Sequence, residues 1–240
     1  MKTFKILTLS LFAAAFAGIV SAQSADEIIG KYVQAIGGKE KLTKLTSVYM
    51  EGTIDAMGMQ GTIKVWTLNG RGQRQDMDIN GSVITNCFSD KGGWSINPMM
   101  GATSAEPMTD DQYASGKNAI YIGGLFVDFA AKGYKAELMG IDSVNGVKAF
   151  KVKVSSSLNK STIYHFDAST FFLLKTEMEA EMQGQMVENV TTYSDYKNND
   201  GYFSPTKMEM DIAGGQFVMN FVFTKVELDK PIEESVFVKP

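Results

Sequence analysis

The sequence predicts a mainly β protein, built on one long, curved antiparallel sheet of about eleven or twelve strands with a few helices. Turn dipeptides such as Asn69-Gly70, Asn80-Gly81 and Asp200-Gly201 recur along most of the chain. These pairs favour the positive φ angles of two-residue hairpin turns. Between the turns, apolar and polar residues alternate with a period of two, which is typical of strands with one buried face.

The alternation is clearest in the C-terminal half. In segment 206–212, Met208, Met210 and Ile212 alternate with charged residues, and segments 171–182 and 216–227 show a similar period. The sheet is therefore expected to have one continuous apolar face. Such a sheet twists and curls, and its apolar face must be covered or must bind something.

Two segments predict helices. Ser24 precedes two acidic residues, as at a capped helix start, and an apolar stripe then runs at helical spacing to Ile36. Gly37-Gly38 ends this helix, and residues 39–45 add another turn. Residues 98–116 lack strand alternation and read as a loop. Residues 118–131 predict a second amphipathic helix, suited to lie as a lid over the opening of the sheet.

The first 22 residues predict a secretory signal peptide. Lys2 and Lys5 precede an apolar run that ends in small residues, with cleavage expected after Ala22. We expect the mature chain, residues 23–240, to be a single soluble domain in the periplasm. Residue 23 is Gln rather than Cys, so no acyl anchor is expected there. A retained N-terminal anchor and an outer-membrane β-barrel are the alternatives.

The composition argues against several functions. The formal net charge of −4 gives no basic face for nucleic acid. His165 is the only histidine and Cys87 the only cysteine, which excludes zinc sites built from several such ligands. His165 lies in an apparent strand, away from any sharp nucleophile turn. We therefore expect no catalytic site, no metal and no cofactor, and we do not expect an enzyme.

The chain contains 15 methionines, and many fall on the predicted apolar face. Methionine is flexible and polarisable, so surfaces that fit variable apolar partners are rich in it. An ordinary methionine-rich core is the alternative. The residues expected to line an apolar cavity are Met50, Trp66, Phe172, Met178, Met208, Met210, Met219 and Phe221, with Leu125, Phe126 and Phe129 under the lid.

Several segments resemble one family of envelope proteins. They are Tyr32–Leu42, the run Gly92-Gly93-Trp94-Ser95-Ile96-Asn97-Pro98, the segment from Thr192 to Pro205, and the ending Phe237–Pro240. Together they are similar to the LolA-like outer-membrane lipoprotein-sorting proteins and their relatives in Bacteroidetes-type envelopes. The resemblance spans most of the chain after the signal peptide.

The resemblance implies an incomplete β-barrel with a helical lid over an apolar cavity. It also implies a monomeric periplasmic carrier of lipoprotein acyl chains or other lipid. Such a carrier receives its cargo from an inner-membrane transporter and delivers it to an outer-membrane acceptor. The alternative is a binding module of the same fold that senses lipid or docks a protein without transporting anything.

Overall fold

The computed structural model describes residues 23–156, 160–182 and 185–240, with 180–182 described by their backbone alone. The predicted signal peptide, residues 1–22, lies outside the described residues. In chain order the strands are β1 (Ser47–Ala56), β2 (Met59–Leu68), β3 (Gly72–Ile79), β4 (Ser82–Ser89), β5 (Gly92–Asn97), β6 (Ala102–Pro107), β7 (Lys135–Val144), β8 (Val147–Ser155), β9 (Ser161–Asp167), β10 (Leu173–Met182), β11 (Gln185–Asn199), β12 (Tyr202–Ile212) and β13 (Phe217–Leu228).

All of these strands belong to one antiparallel sheet of 13 strands, in the order β6-β5-β4-β3-β2-β1-β13-β12-β11-β10-β9-β8-β7. The sheet does not close, because β6 and β7 are its two edges. This confirms the predicted fold class, an incomplete antiparallel barrel. The first and last strands pair in the middle of the sheet, and residues 108–134 connect one edge strand to the other.

Within the described residues, three short α-helices accompany the sheet: α1 (Ala25–Ala35), α2 (Lys39–Lys44) and α3 (Asp110–Gly116). The Ser24 hydroxyl accepts a hydrogen bond from the Glu27 amide, and the Glu27 carboxylate accepts one from the Ser24 amide. This capping box begins α1 at the predicted place. The buried residues of α1 include Ile28, Ile29 and Val33, which pack against the sheet.

The segment between β6 and β7 differs from the prediction. No α-helix spans 118–131: a 3₁₀ turn at Lys117–Ile120 is followed by turns. Gly123 and Gly124 have φ angles of 87° and 67°, and Asp128 has 58°. Left-handed residues cannot continue a right-handed helix, so this segment packs as a folded loop.

The region 98–116, predicted as a loop, also contains regular structure. It forms a 3₁₀ turn at Pro98–Met100, edge strand β6 and helix α3. The side chains of β6 are exposed or half-buried, so an edge strand of this kind leaves no alternation of buried residues for the sequence to display.

Candidate functional site on the inner face of the sheet

The two faces of the sheet can be assigned from the strand register, because residues paired across antiparallel strands point to the same side. We call the inner face the one on which α1 packs. It carries Met50 of β1, which is paired with Val65 of β2 and Val226 of β13. The opposite side is the outer face.

Half of the inner face is an apolar wall. It centres on β1, β12 and β13 and extends onto β2–β4. Met208 pairs with Phe221, and Met210 pairs with Met219. Its members are Met50, Ile54, Ala56, Met59, Ile63, Val65, Met77, Ile79, Ile84, Met208, Met210, Met219, Phe221 and Phe223. The methionines of β1, β12 and β13 remain half-buried, so their flexible side chains keep accessible surface on this wall.

The other half of the inner face is covered by α1 and by the loop segment 121–129. Phe126 contacts the rings of Tyr32, Tyr164 and Phe166 at centroid distances of 5.1, 4.8 and 5.6 Å. Met50 packs against both this cluster and the apolar wall. The two halves are therefore continuous, and Met50 lies where they join.

Among the described residues, six tyrosines gather in the covered half: Tyr32, Tyr134, Tyr164, Tyr193, Tyr196 and Tyr202. Burial raises the pKa of the Tyr202 hydroxyl to about 12 and raises the pKa values of Tyr32, Tyr193 and Tyr196. These four side chains are nevertheless only half-buried. The hydroxyls therefore lie deep among apolar side chains, while part of each tyrosine stays accessible.

Charged groups are nearly absent from the inner face. In the described strands, the register places most lysine, arginine, aspartate and glutamate side chains on the outer face. The exceptions are Glu106 on edge strand β6, Lys148, which is in phase with Phe150 on β8, and Lys197, which pairs with Ser204. The apolar wall itself contains no charged residue. An uncharged lining can hold an uncharged guest without the desolvation cost of burying unpaired ions.

The structure places most of the predicted cavity residues on the inner face. Met50, Met208, Met210, Met219 and Phe221 belong to the apolar wall. Met178 of β10 pairs with Thr162 and Asn189, farther round the same face.

Phe172 lies in the covered half, where its ring stacks on Tyr196 at 4.2 Å. Leu125, Phe126 and Phe129 also pack there. They belong to a loop and not to the predicted lid helix, and they pack against the covered half of the inner face.

The position of Trp66 differs from the prediction. Trp66 pairs with Tyr49 and Arg74, one residue out of phase with Met50 and Val65, and therefore lies on the outer face. There it packs beside Cys87, Trp94 and the C-terminal segment. The expectation that Trp66 lines the inner cavity is wrong.

The outer face holds the buried His165. Its Nε2 lies 3.4 Å from a Glu177 oxygen and its Nδ1 3.6 Å from an Asp142 oxygen, but neither nitrogen makes a hydrogen bond. Burial, followed by the charge of Lys175, lowers the pKa of the His165 imidazole. The side chain is fully buried in the sheet, so a substrate has no access to it.

Two surface pockets lie away from the apolar wall. One of about 550 Å³ sits on the outer face, between the β4–β5 hairpin and the C-terminal segment. The other, of about 520 Å³, lies beside the N-terminal part of α1. Neither is lined by the wall residues.

No helix within residues 23–156, 160–182 and 185–240 is long and apolar enough to cross a membrane. The same ranges contain no group of three or more histidine, cysteine, aspartate or glutamate side chains placed to hold a metal ion.

The tyrosine cluster could not be found from the sequence. Tyr32 comes from α1, Tyr134 directly precedes β7, and the other four come from β9, β11 and β12. The period of two assigns a strand residue to a face, but it does not say which strands α1 covers.

Comparisons with known proteins support the fold. No family model and no curated protein matches the sequence. Among solved structures, a LolA superfamily protein from Nitrosomonas europaea matches with a TM-score of 0.60 at 14% identity, over 91% of this chain and 99% of that one. A putative outer membrane lipoprotein-sorting protein domain from Vibrio parahaemolyticus matches with a TM-score of 0.57 at 16% identity, over 89% and 95% of the two chains.

A third solved structure, a DUF1329 family protein from Desulfovibrio piger, has a TM-score of 0.60 at 12% identity and covers 89% of this chain and 97% of its own. At these identities the likeness establishes architecture. Together with the open sheet of 13 strands, these matches show that the chain has a LolA-like fold.

Proposed function

We propose that the protein is a periplasmic carrier that holds lipoprotein acyl chains or another lipid against the inner face, for sorting to the outer membrane. The observation that carries this proposal is the uncharged, methionine-rich apolar wall on the inner face. The likeness to a putative outer membrane lipoprotein-sorting domain also supports it. In this view the chain is exported, cleaved after Ala22, monomeric and without enzymatic activity, and it exchanges cargo with an inner-membrane transporter and an outer-membrane acceptor.

The physical chemistry of such binding is favourable. Burying an acyl chain contributes roughly 0.8 kcal/mol per methylene group, so a chain of about 16 carbons can supply on the order of 10 kcal/mol. Methionine side chains adapt to a flexible guest at little cost. The loop segment 121–129 packs over the covered half of the inner face, and its Phe126 ring contacts three aromatic rings. Displacing the loop would join the covered half to the apolar wall through Met50.

The first test is native mass spectrometry of protein purified from an envelope fraction, combined with uptake of a fluorescent acyl probe. We expect co-purified lipid and saturable uptake. Met219→Glu places a charge on the apolar wall and should reduce uptake at least tenfold. Val222→Glu is the matched control, because Val222 lies on the same strand but is exposed on the outer face. Absence of both lipid and uptake would exclude the carrier.

A specific observation favours a second candidate, a module that docks a protein. The edge strand β7 exposes Met139 and Ile141 beside its unpaired edge. An exposed apolar edge can accept a strand from a partner. Capture of one stoichiometric protein partner that is lost in Ile141→Lys, together with an inability to move lipid between vesicles, would favour docking over transport.

A further inference from the structure

A row of uncharged polar side chains crosses one flank of the inner face. The strand register pairs Val65 with Gln75, Gln75 with Asn86, and Asn86 with Ser95. The row therefore runs from the apolar wall on β2 across β3 and β4 to β5, and its character changes from apolar to polar. Neighbouring strands are about 4.8 Å apart, so the polar part begins about 10 Å from Met50.

Within the part of the chain that the structure describes, the side chains of Gln75, Asn86 and Ser95 have no hydrogen-bond partner. Gln75, Asn86 and Ser95 are all half-buried. Gln73, which precedes them on the inner face of β3, behaves differently: its amide donates to the Ala119 carbonyl oxygen at 3.1 Å and lies 3.3 Å from the Thr67 hydroxyl. Farther along β5, the buried Oδ1 of Asn97 also lacks a hydrogen-bond partner.

Asparagine is disfavoured in strands, and a polar side chain on a partly buried face forgoes the stabilisation that an apolar residue would gain there. Gln75, Asn86 and Ser95 add no contact that the sheet needs, because the backbone ladders of β3, β4 and β5 are complete without them. They do present two amides and one hydroxyl, each able to donate and to accept. A guest with hydroxyl or amide groups would satisfy them.

The charged residues around the polar row indicate whether the guest's head group is charged or neutral. The strand register brings no cation to the inner face of β2, β3, β4, β5 or β6, and Glu106, paired with Ser95, stands at the outer end of the row. A carboxylate or phosphate bound here would be desolvated without a counter-ion and would lie near a carboxylate. An uncharged head group meets neither penalty.

We propose that Gln75, Asn86 and Ser95 form a head-group subsite, and that the guest is a neutral amphiphile with one apolar chain and an uncharged hydroxyl- or amide-bearing head. The chain lies on the apolar wall, and the head hydrogen-bonds to the polar row. This inference rests on the proposed function and specifies the class of ligand that the carrier prefers.

The test compares two ligands with the same chain, monopalmitoylglycerol and palmitate, at pH 8, where the carboxylate is ionised. Affinities are measured by displacement of a fluorescent acyl probe from the mature protein. We expect monopalmitoylglycerol to bind at least tenfold more tightly than palmitate. The double variant Gln75→Leu/Asn86→Leu should lose about tenfold in affinity for monopalmitoylglycerol, as expected for two neutral hydrogen bonds, and stay within twofold for palmitate.

Asn220→Leu is the matched control, since it makes the same kind of change at an exposed residue paired with Asp55 on the outer face. It should leave both affinities unchanged. Equal binding of the two ligands by the unchanged protein, or a preference that survives in the double variant, would overturn the subsite while leaving the carrier intact. If neither ligand displaces the probe, or the probe itself does not bind, the proposed function fails and the subsite fails with it.

Discussion

The indole Nε1 of Trp94 donates a hydrogen bond of 3.0 Å to the carbonyl oxygen of Phe237. The thiol of Cys87 approaches the same oxygen at 3.6 Å, and a Cβ added at Gly72 would lie 2.5 Å from the Phe237 ring. These contacts fasten the C-terminal segment to the outer face. The sheet therefore has a small core on the side opposite the proposed cavity.

The attachment of the C-terminal segment can be tested by the reactivity of the Cys87 thiol. Burial raises the pKa of Cys87 to about 12, so the native thiol should react very slowly with maleimide at pH 7.5. Trp94→Phe removes the hydrogen bond but keeps a ring, and should cost about 1–2 kcal/mol of unfolding free energy. We expect faster labelling of Cys87 in this variant and a lower urea midpoint. Unchanged labelling would show that the segment is held by other contacts.

Two glycines should respond in opposite directions to replacement by alanine. At Gly52, beside the irregularity in the β1–β13 pairing, an added Cβ would lie 2.7 Å from the Phe223 Cα. Backbone cannot move aside cheaply, so Gly52→Ala should cost more than about 2 kcal/mol. At Gly30, inside α1, an added Cβ meets nothing within 4 Å, and Gly30→Ala should stabilise by about 0.5–1 kcal/mol. Thermal or urea unfolding of both variants checks the contrast.

Acidification should weaken the sheet through His165. Burial and Lys175 lower its folded-state pKa, whereas the unfolded chain titrates near the ordinary value of about 6.5. Below that pH the unfolded state binds a proton that the folded state resists, so stability should fall as the pH falls from 7 to 5. Urea unfolding at both pH values measures the loss, and His165→Gln should remove part of it.

The neighbouring carboxylates of Asp142 and Glu177 affect stability at a lower pH than His165 does. The Ser143 backbone N–H is the main cause that lowers the pKa of Asp142. For Glu177, burial works to raise the pKa, but the hydrogen bond and charge of Lys175 outweigh it and the pKa is lowered. Their contributions are present above their ordinary pKa values near 4 and are lost below them. A fall in stability between pH 7 and 5 that is unchanged in His165→Gln would contradict the assignment to the imidazole.

The covering loop should control how fast a guest enters. Phe126 is buried and contacts three aromatic rings, so Phe126→Ala should cost about 3–5 kcal/mol of unfolding free energy and loosen the loop. We expect faster uptake and faster release of an acyl probe, measured by stopped-flow fluorescence. Val127→Ala, in the same loop, is a milder companion, and Val222→Ala on the outer face should change neither rate. Unchanged rates in Phe126→Ala would place the entrance elsewhere.

The period of two was enough to predict the sheet and most of its inner face, because β12 and β13 bury one side only. It failed at β2, where Ile63 and Val65 face inward while Trp66 and Leu68 pack outward. When both faces of a strand are apolar, the period of two does not show which residues point inward. The C-terminal segment that makes the outer face apolar there is a long-range contact, which local patterning does not contain.

The missing lid helix has a local cause that the apolar spacing concealed. Ile122, Leu125 and Phe126 are spaced as on a helix, but Gly123-Gly124 lies between them and adopts left-handed angles. The side chains reach the predicted cluster by a different backbone path. Burial was therefore predictable from the residue types, and the conformation was not.

The pairing of β1 with β13 joins residues as distant as Val48 and Leu228. Such a contact requires closing most of the chain into one loop, and folds rich in non-local pairings are slow to form. Until β13 arrives, β1 presents an unpaired, apolar edge that other chains can recognise. The protein's most vulnerable moment is thus the interval before its last strand is in place, and a helper that shields β1 during that interval would raise the yield of native molecules.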